Sequence, residues 1–327
     1  MRNAAILLLT LYISNCTGQV YKSDQPLAHT FSIVARDSIT GDMAVGVQSH
    51  WFNVGAEVPW AQAGVGAIAT QSFIDKSYGY KGLILLKQGY SAQQVLDSLV
   101  AADPGRDVRQ VGIVDSRGNV AAHTGKGCIQ YASHIKGANF TVQSNMMLSD
   151  QVCQSMARAF QQSAAKPLAE RILNALDAAQ GAGGDIRGKQ SAVLIVVSGK
   201  ASDKPWNDRK VDLRVDDNEK PLTELRRLYL LHVAYEHMNN GDLATEKNDM
   251  VKAMQEYGFA MKMFPDNLEM QYWAAITLAN NRQVDQAIAI LKRVFAEDKN
   301  WKELTRRLPS VGLLTVKPED LKRILDL

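Results

Sequence analysis

Residues 29–71, HTFSIVARDSITGDMAVGVQSHWFNVGAEVPWAQAGVGAIATQ, constrain this chain more than any other stretch, because their periodicity fits paired strands and little else. Phe31, Ile33 and Ala35 alternate with Ser32, Val34 and Arg36, the two-residue period of a strand with unlike faces. Ser38-Ile39-Thr40-Gly41-Asp42 then supplies turn chemistry and residues 43–47 resume an apolar run, so the expectation is a hairpin with one well-buried face. A third apolar segment, residues 64–70, is rich in Gly and small side chains, which suits close backbone approach in a crowded interior.

Thr30 heads the first of these strands. As a chain terminus, its hydroxyl oxygen could attack an acyl carbon while its own α-amine took up the proton, with no separate base. Such an amine has a pKa of about 7.7 to 8.0, so it is partly neutral near working pH. Two readings stand side by side: this nucleophile, which requires the bond between residues 29 and 30 to be cut, and a β-branched residue that simply starts a strand. Leu27-Ala28-His29 does not end in the small residue a signal peptidase takes, so export alone would leave about a dozen residues ahead of Thr30. The first reading therefore needs a second cleavage, autocatalytic or otherwise.

TFSIVARD, the run VGVQSHWFNVGAEVPWA and AGVGAIATQ resemble the family known as domain of unknown function 1028. VQSN at 142–145, GGDIRGKQSAVLIVV at 183–197 and VDLRVDD at 211–217 are similar to its later motifs, and together they cover about residues 29–230. The resemblance implies an α+β fold, the four-layer αββα sandwich of N-terminal-nucleophile hydrolases, without implying a substrate. Many of the sequences it resembles carry Met directly before the Thr, where Met removal would expose it. The resemblance also singles out Asn145, whose amide could donate to an oxyanion; the alternative is a turn residue leading into the next helix. His50, at the end of the second strand, could polarise a carbonyl or move a proton, or serve in packing. Ser49, Gln71 and Arg187 are the candidates for holding substrate, while Asp37, Arg187, Asp212 and Arg214 are equally suited to ion pairs that fix the sandwich.

Net charge is +3 with acidic and basic residues interspersed, and no Lys/Arg cluster is interleaved with aromatics, which argues against a nucleic-acid partner. Residues 1–16, MRNAAILLLTLYISNC, have a positive start, an apolar core and small residues after it, the layout of a secretory signal; a signal segment over 1–18 and a secreted or periplasmic protein are expected. Ile13-Ser14-Asn15-Cys16 also resembles a lipoprotein box, in which Cys16 would carry a lipid anchor. Cys128 and Cys153 could pair in an oxidising compartment or act as small buried apolar residues, and no Cys/His spacing indicates a metal. Asp212, Asp216 and Asp217 around Arg214 read as a solvated edge rather than a cation site. GxGxxG after a strand, GxxxxGK[ST], HExxH and GxSxG are all absent, and neither cofactor nor metal is expected.

Further along, helices are expected over residues 80–88, 91–102, 150–165 and 167–180, and strands over 109–115, 119–123, 129–131, 140–143, 192–197 and 211–215. One domain thus spans 29–221. From about Leu222 the texture is helical. Ala253, Tyr257 and Ala260 recur as Ala287, Leu291 and Val294, a period of about 34 residues that marks an all-α, tetratricopeptide-like domain over 222–327, with Trp301 and residues 304–314 as its cap. Two functions follow as expectations. One is an exported hydrolase of a small amide or peptide-like substrate, with Thr30 as nucleophile. The other is a binding or scaffold protein whose repeats engage a protein or cell-envelope partner, with self-association left open.

Overall fold

The structure, a computed structural model, describes residues 27–28 and 30–327; the signal segment expected over residues 1–18, with Cys16, lies outside the described residues. The described chain divides between Pro221 and Leu222 into two compact units.

The first unit holds two antiparallel sheets. Its strands are β1 (Leu27–Ala28), β2 (Thr30–Arg36), β3 (Met43–Ser49), β4 (Pro59–Gln62), β5 (Gly66–Phe73), β6 (Arg109–Asp115), β7 (Val120–Thr124), β8 (Ser133–Gly137), β9 (Phe140–Ser144), β10 (Ser191–Val197) and β11 (Arg209–Val215). One sheet runs β1-β5-β6-β7, with β4 also paired to β5, and the other runs β11-β10-β3-β2-β9-β8. The helices are α1 (Ser77–Lys87), α2 (Ala92–Ala102), α3 (Val152–Gln162) and α4 (Leu168–Gly181).

Strand periodicity decides which side chains meet. Val34, Val45, Val47, Val193 and Ile195 of the second sheet join Ala67, Ala69 and Val114 of the first in one buried apolar cluster. Each large member contributes on the order of 1.5–3 kcal/mol by leaving water. The opposite face of the first sheet, at Ile68, Val111 and Ile113, buries Tyr78 and Leu86 of α1 and Val95, Leu96 and Leu99 of α2. Across the second sheet α4 approaches so closely that a Cβ on Gly46 would lie 2.2 Å from Ile172 Cγ2. The hairpin between β2 and β3 closes on Asp37, whose Oδ1 accepts the N–H groups of Ile39 and Thr40 at 2.8 Å each, and on Gly41 at φ +79°. The N-cap of α2 is Ser91, in a reciprocal box with Gln94.

One expectation is corrected. Residues 129–131 are not a strand; β8 begins at Ser133, because the N–H groups of Gly125, Gly127 and Cys128 are spent on turn contacts to Arg109, Asp107 and Gly125. Ahead of β2, Leu27 pairs with Phe73 and Ala28 with Ser72. Cys128 and Cys153 are free thiols: the first donates to Arg109 O at 3.4 Å, the second to Ser133 O at 3.3 Å. Burial pushes both thiols up.

The second unit is helical: α5 (Pro221–Glu246), α6 (Met250–Met263), α7 (Leu268–Asn280), α8 (Val284–Glu297), α9 (Asn300–Arg307) and α10 (Pro318–Leu325). Asp249 and Asn267 cap α6 and α7 through their side chains. Ala253, Tyr257 and Ala260, and their counterparts Ala287, Leu291 and Val294, are all buried. Gly241 lets α5 meet α6, since a Cβ there would sit 2.4 Å from the Tyr257 ring. Trp301 packs on Tyr272 with ring centroids 4.7 Å apart, and Leu308, Leu314 and Ile324 complete the terminal apolar cluster.

Candidate active site

Inward positions change character along the strands of the first unit. On β2 the same face reads Val34, Ser32, Thr30; on β3 Val45, Val47, Ser49; on β5 Ala67, Ala69, Gln71; on β6 Val114, Gly112, Gln110; on β10 Ile195, Val193, Ser191. The register sets Thr30 beside Ser49, Ser49 beside Ser191 and Gln71 beside Gln110. All of these polar residues are fully buried. One end of the inter-sheet interior is thus apolar and the other is a cluster of hydroxyls and carboxamides. Such groups destabilise a core unless hydrogen-bonded, so their convergence asks for a function.

Thr30 is gripped from several sides. Its Oγ1 donates to Ser49 Oγ at 3.1 Å, and its carbonyl accepts the Asn145 N–H and Gln71 Nε2, each at 3.1 Å. Gln71 Nε2 also donates to Gln110 Oε1 at 2.7 Å, and Asn145 Nδ2 donates to the same oxygen at 2.8 Å. Ser72 follows Gln71 at φ +75° and Met146 follows Asn145 at φ +58°. Left-handed backbone at non-glycine residues costs on the order of 1–3 kcal/mol and collects at functional sites. Nearby, Ser32 Oγ donates to Gln143 Oε1 at 2.9 Å; Gly112 makes room for that carboxamide, since a Cβ would lie 2.4 Å from it.

The structure therefore gathers Thr30, Ser49, Gln71 and Asn145 into one hydrogen-bonded set. His50 and Arg187 belong to an adjoining arrangement built on Asp185. Asp185 accepts the His50 N–H at 3.2 Å and is clasped by Arg187 through Nη2 at 2.7 Å and Nε at 3.1 Å. His50 Nδ1 is buried with no partner among the described residues. Asp212 is held by Arg209 at 2.6 Å and Arg214 at 2.9 Å. Among the described residues no three of His, Cys, Asp and Glu come together as a ligand set.

Two members escaped the sequence reading. Gln110 is the hub of the cluster, and Asp185 organises its neighbour. The signal for Gln110 was its parity: in QVGIV it shares the inward face with Gly112 and Ile113's other neighbour, Val114.

Two antiparallel sheets with helices against them, followed by helical repeats, define a mixed α+β domain joined to an all-α one. The chain belongs to the family of unknown function DUF1028, whose model matches residues 30–225, and a tetratricopeptide repeat model matches residues 244–308. Among solved structures it is similar to protein SPO2555 from Silicibacter pomeroyi, itself described as DUF1028, at 30% identity and a TM-score of 0.56 over 62% of this chain and 84% of that one. No curated protein matches. Among the described residues no helix is long and apolar enough to cross a membrane.

Proposed function

We propose that this is an exported hydrolase of the N-terminal-nucleophile type, a four-layer αββα sandwich that cleaves an amide or related acyl bond through Thr30. The observation that carries the reading is the buried polar cluster at the head of β2, in which the Thr30 hydroxyl donates to Ser49 and the Thr30 carbonyl accepts from Gln71 Nε2 and the Asn145 N–H. The family match supports it by starting at Thr30, so that the leader lies outside the shared domain. Cutting the bond between residues 29 and 30 would leave Thr30 with both an attacking oxygen and a proton acceptor. Thr30 Oγ1 then attacks the substrate carbonyl carbon and gives its proton to the α-amine. Asn145 Nδ2 stabilises the oxyanion, and the amine passes the proton to the departing nitrogen as the C–N bond breaks. Water hydrolyses the resulting Thr ester and restores the hydroxyl. The test is incubation of the mature protein with 4-nitroacetanilide and small peptide amides. Release of amine by the native chain and none by Thr30→Val supports the reading; equal release by both rejects it.

A second reading has its own observation. Leu27 and Ala28 are paired to β5 and Thr30 is buried, so the uncut chain keeps the hydroxyl away from solvent. In that reading the sandwich is a scaffold and the repeats do the work; tetratricopeptide repeats suggest protein–protein interaction. Persistence of the leader in the mature protein, with a stable protein complex retained on the helical unit, favours it.

A further inference from the structure

Gln110 decides how this cluster presents itself. Gln110 is buried at the centre of the set, and its two ends face chemically different surroundings. Its Nε2 lies 2.9 Å from Ser144 O, 3.1 Å from Ser133 O and 2.9 Å from Thr124 Oγ1. Two of those three are main-chain carbonyls, which can only accept, so the NH2 end must point at them. A flipped carboxamide would set its oxygen against both carbonyls in a buried site, leaving three acceptors together. The orientation of Gln110 is therefore dictated by the backbone of β8 and β9.

That choice propagates. With Nε2 committed, Oε1 faces the other way and accepts from Gln71 Nε2 and Asn145 Nδ2. Both neighbouring carboxamides are thereby turned NH2-first toward Gln110. Gln71 spends its other N–H on Thr30 O, and its own Oε1 is buried with no partner among the described residues. A buried acceptor of this kind is destabilising while unmade, which suits a site that receives an N–H from a ligand.

We propose that Gln110 is a positioning residue: it fixes the amide orientation of Gln71 and Asn145, so that Asn145 offers a donor beside Thr30 and Gln71 an acceptor. Its kinetic consequences rest on the hydrolase reading above; its structural consequence does not. A donor and an acceptor side by side complement a secondary amide, whose C=O accepts and whose N–H donates, better than an ester, which has no N–H.

Gln110→Glu and Gln110→Met in the full chain test this. A carboxylate at 110 turns an oxygen toward the carbonyls of Ser133 and Ser144 and, repelled by them, leaves the place from which Oε1 accepts from Gln71 and Asn145. Burial and those carbonyls raise its proton affinity, and once protonated it donates to one of them. With 4-nitroacetanilide as probe, kcat of Gln110→Glu relative to native protein falls about a hundredfold at pH 8.5. The same ratio recovers by about tenfold or more toward pH 6, with KM little changed. Gln110→Met is slow at both pH values. In 15N-labelled protein the side-chain NH2 protons of Gln71 and Asn145 exchange slowly in the native chain and fast in Gln110→Met.

A flat pH ratio for folded Gln110→Glu overturns the proposal, as does folded Gln110→Met with native side-chain protection. If Gln110→Met does not fold, the pH ratio and the Gln110→Glu amide signals at the two pH values decide. If the native protein does not hydrolyse the probe while the exchange behaviour is as stated, the hydrolase reading falls and the positioning role stands.

Discussion

Thr30 combines full burial with a hydroxyl held by a second hydroxyl, Oγ1 donating to Ser49 Oγ at 3.1 Å. If the oxygen is the nucleophile, Thr30→Ser keeps the chemistry while removing a methyl, and Thr30→Val keeps the shape while removing the chemistry. Hydrolysis of a small amide should persist within about tenfold in Thr30→Ser and vanish in Thr30→Val, with both proteins folded. Gln71 makes the complementary case. Its Nε2 holds both Thr30 O and Gln110 Oε1, so Gln71→Leu leaves two buried acceptors short of a donor and should lower unfolding free energy by about 1–3 kcal/mol in a denaturant titration. An unchanged midpoint would show that these contacts contribute nothing. Thr30, Ser49 and Gln71 were legible in the sequence because each lies at or near one end of a strand whose apolar run is plain. Gln110 was not, because a Gln on a strand reads as a solvent-facing residue until its partner Gln71 is known, and that pairing is set by sheet register rather than by local pattern.

Among the elements, the hairpin of β2 and β3 was readable from alternation and from Asp37 and Gly41, whereas β4 (PWAQ) lacks alternation and β1 has only two residues. Close approach explains Gly46 on β3. Gly46→Ala would force a Cβ to 2.2 Å from Ile172 Cγ2 and should destabilise by about 1–3 kcal/mol, measurable as a lowered Tm; a neutral result would mean that α4 can move away. Where β6 begins, Arg109 donates through Nε to Asp103 at 2.8 Å and through Nη1 to Phe73 O at 2.7 Å, linking the α2 exit to the end of β5. Burial pushes the Asp103 carboxyl up, but Arg109, the Gly105 N–H and the Tyr78 hydroxyl outweigh it and hold it below the usual carboxylate range. Because its folded value is depressed, the stability it brings is complete above the unfolded value of about 3.9 and is lost as pH falls through the folded one. The stability difference between native protein and Asp103→Asn should therefore shrink as pH is lowered from 5 to 2. A difference independent of pH would remove this ion pair from the account.

For the whole molecule, the change from helix-and-strand texture to uniform helix near Leu222 was visible in the sequence, as was the recurrence of Ala253, Tyr257 and Ala260 in Ala287, Leu291 and Val294. The gradient of polarity between the sheets was not, since it appears only when β2, β3, β5, β6 and β10 are set in register and their inward faces read together. That gradient places hydroxyls and carboxamides around a single threonine, and the function proposed for them depends on that residue becoming a chain terminus. N-terminal sequencing with intact-mass measurement of the mature protein tests this most directly. The account predicts a chain beginning at Thr30; a hydrolytically active protein that still carries residues 27–29 joined to it would contradict the account.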